Sequence, residues 1–302
     1  MRATTIGNFD GVHRGHFALI DRARLRAGAS GTVTALCFDP HPLERIRPEQ
    51  APQRLSTFSQ RERWLHEAGA DEVVRLEPDP SLLDKSPEQF VSWLVERHRP
   101  DAVVEGSDFC FGKARSGTIE TLTSLGASFG FTVDVVPAVD VTLDDHSIVR
   151  ASSSLVRWLL AHGRVADATI VLGRPYTLVG TVVQGDRRGR TIGFPTANMV
   201  CEVTPPADGV YACRAVLPTG EALPAAMNIG TRPTFRGLDR RVEVHVLDNG
   251  TGISAAAMLA LPEYGWPLTV EVHAWIRDQV KFAGIDALTA QLKRDVARVR
   301  VP

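Results

Sequence analysis

The chain has 302 residues, of which 44% are apolar and 23% charged, a balance that excludes a disordered chain and leaves room for two ordinary domains. Lys plus Arg number 34 against 35 Asp plus Glu, a net charge of -1, whereas nucleic-acid binders carry a basic excess. Cys37, Cys110, Cys201 and Cys213 are scattered without a CxxC pair, which fits reduced thiols better than a disulfide framework or a zinc site. No apolar run reaches the roughly 18 residues that span a bilayer and no basic start leads into one, so a cytoplasmic location is expected.

In chain order, strands are predicted at 3–7, 32–38, 72–76, 102–106 and 132–136, with helices at 15–28, 59–69, 87–98 and 117–129 between them. That alternation predicts a parallel sheet with helices on both faces. In such folds ligands bind where strands run out into helices. A helical segment over 153–171 follows, and the join to a second domain is expected near Leu172-Gly173-Arg174-Pro175, giving domains 1–172 and 173–302. Beyond the join, strand-like runs at 176–183, 209–217, 223–229, 241–247 and 268–276 alternate with turn formers, and only 285–299 reads as a helix. A small antiparallel barrel or sandwich with a terminal helix is the expectation.

The exit of the first strand reads GNFDGVHRGH over 7–16. Gly7 and Gly11 let a bulky anion approach the backbone. The helix start that follows points unpaired N–H groups and partial positive charge outward, which suits phosphate. His13 and His16 lie three apart and share a face of a helical turn. Two imidazoles there can donate to oxygens on a phosphorus centre as charge grows on them, chemistry that needs positioning more than a protein nucleophile. The plainer alternatives are capping or surface histidines, or a zinc site for which His41 is the only close further ligand.

No Gly-x4-Gly-Lys-Ser/Thr loop occurs, so any kinase chemistry must be built without one. In its place stands GTVVQGDRRGRTIGFPTANM over 180–199, where Gly185, Gly189 and Gly193 punctuate a basic turn that includes Arg190. Thr196 and Asn198 face the same side of an extended segment and can offer oxygen to one Mg²⁺ or one phosphate. An ordinary hairpin with an arginine-rich tip is the plainer alternative.

These segments resemble a known family. GNFDGVHRGH matches the first signature of the nucleotidyltransferase superfamily, in the form seen in bacterial bifunctional riboflavin kinase/FMN adenylyltransferases, or FAD synthetases. The likeness continues through CFDPHP at 37–42, GSDFCFGKARSG at 106–117 and SSSLVR at 152–157, the last similar to Ser-Ser-Thr-x-Ile-Arg with Ser154 for threonine. GRTIGFPTAN at 189–198 resembles the riboflavin kinase signature, and GVYACRAV, AMNIGTRPTF and VEVHVLD follow in the family's order.

The resemblance implies a Rossmann-like nucleotidyltransferase domain followed by a small antiparallel β-barrel riboflavin kinase domain with a C-terminal helix. It implies phosphorylation of riboflavin by MgATP to FMN, then adenylylation of FMN to FAD with release of pyrophosphate. His13, His16 and Arg157 are the implied catalytic groups of the second reaction, with Gly7, Phe9, Asp10, Gly11, Ser153 and Ser154 around its nucleotide. In the kinase, Gly185, Arg190, Gly193, Thr196 and Asn198 are placed on the nucleotide, Thr196 and Asn198 on Mg²⁺, and Glu243 as general base. Glu271, in the similar stretch VEVHAWI, is expected to be an outward residue of an alternating strand. Asp108 and Arg277 are placed near the flavin. The expected partners are ATP, riboflavin and FMN, with no nucleic acid and no membrane, and a homo-oligomer is admitted. Two departures stand out. The family's short acidic turn is replaced by the stretch 249–268, and its Arg-x-Glu pattern reads Arg277-Asp278-Gln279. They motivate the alternative of a paralogue acting on another flavin or alcohol; a flavin or nucleotide sensor with decayed activity is the alternative of another class.

Overall fold

The computed structural model describes residues 1–185, 193–234, 237–247 and 261–299, with the backbone alone at 232–234 and 237–239. Two compact units divide the chain. The first comprises Met1–Gln53, Thr57–Val141 and Ile148–Ser153; the second comprises Arg54–Ser56, Thr142–Ser147 and Ser154–Pro302.

In the first unit β1 (Arg2–Gly7), β2 (Thr32–Phe38), β3 (Glu72–Leu76), β4 (Ala102–Gly106) and β5 (Thr132–Val136) form a parallel sheet in the order β3-β2-β1-β4-β5. The helices are α1 (Arg14–Ala27), α2 (Pro42–Ile46), α3 (Phe58–Glu67), α4 (Pro80–Leu83), α5 (Pro87–His98) and α6 (Ile119–Phe129). Successive side chains of a strand point to opposite faces, and here both faces are covered. Val33, Ala35 and Cys37 of β2 cluster with Ile20 and Ala23 of α1 and with Trp64 and Leu65 of α3. Leu36 turns the other way, to Phe90, Val91 and Leu94 of α5 and Leu122 of α6. The interior strands β1, β2 and β4 are buried along nearly their whole length because parallel strands are covered on both sides, whereas the edge strands β3 and β5 keep exposed residues. Burying each such Leu or Phe contributes about 1.5–3 kcal/mol. A two-stranded ribbon, β6 (Asp140–Thr142) with β7 (Ile148–Arg150), was not among the predicted elements.

The expected helix over 153–171 is two helices, α7 (Ser153–Ala161) and α8 (Val165–Leu172). The break comes at Gly163, whose φ is +70°, and a Cβ there would collide with the ring of Trp275. Glycine is needed on both counts. In the second unit β8 (Tyr176–Val183), β9 (Ala197–Cys201), β10 (Gly209–Val216), β11 (Ala222–Thr234), β12 (Gly237–Val246) and β13 (Pro267–Arg277) close an antiparallel barrel in the order β10-β11-β12-β9-β8-β13. Closure removes the sheet edges. The last helix is α9 (Ile285–Arg298). The described architecture is thus α/β followed by a closed barrel with a C-terminal helix, and among the described residues no helix is long and apolar enough to cross a membrane.

Candidate active sites

The sheet order reverses direction between β1 and β4, which is where open α/β sheets bind ligands. The two strands pair only at Ala3–Ala102 and Thr4–Val103. Further along, Oε1 of Glu105 takes the place of a backbone partner and accepts from the Ile6 N–H at 2.6 Å. Glu105 is 2% exposed, and burial pushes its carboxyl well above the usual carboxylate range.

β1 ends at Gly7 and the chain turns through three left-handed residues, Phe9 at φ 48°, Gly11 at 80° and Val12 at 39°. For Phe and Val this conformation is strained, and such strain concentrates at functional sites when the surroundings enforce it. Burial enforces it here: Phe9 is 1% exposed and sits in the core under α1. Its ring therefore supports the loop from below, with its edge to His16 at 5.2 Å.

His13 is the N-cap of α1, its Nδ1 accepting from the Gly15 N–H at 3.1 Å. In the neutral ring that bond places the proton on Nε2, leaving a donor at the other end. The capping role and the donor role are thus compatible. The His13 and His16 rings stack with centroids 3.7 Å apart, as the three-residue spacing predicts. His41 caps α2 and meets Asn8 Nδ2 at 3.1 Å through Nε2. Among the described residues no three His, Cys, Asp or Glu side chains are grouped to hold a metal.

Ser153 reaches this loop from the far end of the unit, donating its hydroxyl to Asp10 O at 2.7 Å. Ser154 is exposed and follows in the first turn of α7, with Arg157 one turn along, both in the second unit. Asp108 lies on the loop after β4, exposed and paired with Arg150 at 3.1 Å.

Sequence reasoning passed over Arg61. This buried guanidinium on α3 donates to Asn8 O and Phe38 O at 2.8 Å each, and pairs with Asp39, which Arg75 also engages. It ties the exits of β1 and β2 together. Its tie to the strand exits is not marked in its helical stretch, since Asn8, Phe38 and Asp39 lie 22 to 53 positions away.

In the barrel, one register line crosses five strands. Arg277 of β13 pairs with Val210 of β10, Val210 with Asn228 of β11, Asn228 with Glu243 of β12, and Glu243 with Asn198 of β9. All five line one cavity of about 410 Å³, together with Thr196, Phe194, Arg241, His245 and, from α9, Leu288 and Leu292. Strand alternation turns Val242 and Val244 into the barrel core and leaves Glu243 between Arg241 and His245 on the cavity side. The similar stretch on β13 does otherwise: Glu271 is taken by Arg214 at 2.7 Å. Arg277 is held by the buried carboxylate of Asp295 through contacts of 3.0, 3.0 and 2.7 Å, so it anchors α9 beside the cavity. Thr196 stands just before β9, and Gly185 lies directly against the Asn198 amide. Gly193 is described at φ 81°, whereas Arg190, the turn 187–190 and residues 249–260 lie outside the described residues. Asn228 and Gln279 were not singled out as site residues; Asn228 sits in a quoted motif, but only strand register shows what it faces.

Comparison with known proteins agrees with this division. The sequence model for FAD synthetase matches residues 1–152 and that for riboflavin kinase matches residues 172–301. The chain belongs to the bifunctional riboflavin kinase/FMN adenylyltransferase family. Relatives bearing that name include one from Escherichia coli strain K12, 38% identical over 98% of this chain and 91% of the relative. One from Haemophilus influenzae is 34% identical over 97% and 92% of the two chains, and one from Bacillus subtilis 33% over 96% and 89%. A crystal structure from Streptococcus pneumoniae, described as a macrolide-efflux protein, is 29% identical and superposes with a TM-score of 0.83 over 97% of this chain and 92% of the other. Members of this family act on flavins and ATP, and the two matches fall on the α/β unit and on the barrel.

Proposed function

We propose that the barrel cavity phosphorylates riboflavin to FMN and that the loop at the exit of β1 serves the transfer of an adenylyl group from a second ATP to FMN. The carrying observation is the cross-strand line Asn228–Glu243–Asn198, which sets a carboxylate between two amides on the wall of a flavin-sized cavity. A carboxylate so placed can take the proton of the riboflavin 5′-hydroxyl as that oxygen bonds to the γ-phosphorus and ADP leaves. Thr196 and Asn198 sit beside it as neutral oxygen donors. With no acidic cage among the described residues, that donor set fits Mg²⁺ held mainly by phosphate and water. When bound, the ion neutralises charge on the phosphates. Arg277 holds α9 against the same cavity, and we place the flavin between them.

In the α/β unit an FMN phosphate oxygen would attack the α-phosphorus of ATP and expel pyrophosphate. His13 and His16 donate to the charge that builds there, supported by the first-turn N–H groups of α1. Gly7, Asp10 and Gly11 shape the approach, and Ser153 holds the loop. By resemblance to the second signature, Ser154 and Arg157 would take polyphosphate, and Asp108 would take the nucleotide or flavin. The four unbridged cysteines and an ATP-dependent reaction support a cytoplasmic setting. Incubation with riboflavin, ATP and Mg²⁺ should give FMN and then FAD on chromatography; failure to form either overturns the assignment.

A further inference from the structure

Gln279 sits where the family pattern has an acid, and its amide is bonded in a way an acid could not reproduce. Its Nε2 donates to Asn228 Oδ1 at 2.9 Å, and Asn228 Nδ2 donates in turn to Glu243 Oε2 at 3.4 Å, a contact longer than the usual range of about 2.7–3.2 Å. The direction of this chain of bonds follows from chemistry and not from the placement of amide atoms. Glu243 as a carboxylate only accepts, so Asn228 must turn its NH₂ toward it. Asn228 Oδ1 then faces away and needs a donor, which the NH₂ of Gln279 supplies. The backbone admits the relay at Gly230, where a Cβ would collide with the Gln279 amide.

We propose that Gln279 is a positioning residue for the kinase reaction: it fixes the orientation of the Asn228 amide, which in turn fixes the plane of the Glu243 carboxylate against the substrate hydroxyl. A glutamate at 279 would set oxygen against Asn228 Oδ1. Asn228 would then have to rotate and present its own oxygen to Glu243. The relay rests on the reading of Glu243 as the base. It acts through another residue's geometry, so its loss should fall on turnover and not on affinity.

The test is Gln279→Glu, which keeps size and shape, removes the donor and adds a negative charge. Loss of the amide–amide bond to Asn228, and with it the orientation of the Asn228 donor toward the Glu243 carboxylate, should lower kcat for FMN formation about 10-fold. KM for riboflavin and for ATP should stay within about twofold if the residue acts only on turnover. FAD formation from supplied FMN, measured on the same sample, reports that the α/β unit is folded, and an unchanged riboflavin KM reports the barrel. In an Asn228→Leu background the same substitution should cost much less than in the parent, because the relay is already cut and only the added charge is left to act. A normal kcat, a rise in riboflavin KM at unchanged kcat, or additive effects of the two substitutions would each overturn the proposal. Glu243→Gln is assayed alongside. If it retains FMN formation, the base assignment itself fails. If it abolishes FMN formation while Gln279→Glu is silent, only the relay falls.

Discussion

Ser153, the first residue of α7, donates its hydroxyl to the backbone oxygen of Asp10, 2.7 Å away and 143 positions earlier in the chain. The bond joins the two stretches that resemble nucleotidyltransferase signatures. Ser153→Ala removes about 1 kcal/mol. Steady-state assay of FAD formation should show KM for ATP rising about fivefold, with FMN formation untouched because that chemistry lies in the barrel.

His16 stacks on His13 at 3.7 Å and rests on the edge of the buried Phe9 ring. If it donates to the charge that grows during adenylyl transfer, His16→Ala should lower kcat for FAD formation roughly 10²–10³-fold, the usual cost of one preorganised donor. FMN formation on the same sample should keep its rate. Undiminished FAD formation would remove the histidines from the chemistry.

Glu105 gives a pH signature. Burial raises its carboxyl well above the ordinary range, so the folded chain holds a proton there that the unfolded chain has released. Stability therefore falls as pH rises past the unfolded carboxyl range near 4.3. Glu105→Gln keeps an acceptor for the Ile6 N–H and abolishes the titration. In urea melts the variant should match the parent near pH 4 and exceed it progressively toward pH 8. Equal stability across that range would contradict the expectation.

Asp295 on α9 is 1% exposed and its carboxylate carries the Arg277 guanidinium and the Gln291 amide. Removing one partner of a buried pair costs about 3–5 kcal/mol. Asp295→Ala should fall at the low end, about 3 kcal/mol, since Arg277 keeps some access to water. Loosening α9 beside the cavity should raise riboflavin KM more than it lowers kcat, a split that initial-rate measurements of FMN formation resolve.

The interior strands β1, β2 and β4 were legible because burial on both faces leaves their sequence little choice, and the partly exposed edge strands β3 and β5 through their short β-branched runs. β2, predicted and observed at 32–38, is buried at all but its end residues. The break at Gly163 was not legible, because the reason for it is the ring of Trp275, more than a hundred residues later. Arg61 was silent in the sequence for the same reason: its meaning is a set of backbone oxygens and one carboxylate on other elements.

Val-Glu-Val-His occurs twice in the barrel, at 242–245 and 270–273. Composition and alternation treat the two alike. Register separates them, setting Glu243 beside Asn198 and Asn228 and pairing Glu271 with Arg214.

From residue order alone came the class of each domain, the motif at the exit of the first strand and the likeness to flavin-making enzymes, since these rest on local periodicity and contiguous spacing. Which carboxylate faces the cavity, which arginine anchors a helix and which glutamine orients an amide were decided only by the folded chain. Those facts are distances between residues far apart along the backbone, and such distances are set by strand pairing and packing, which no local pattern encodes.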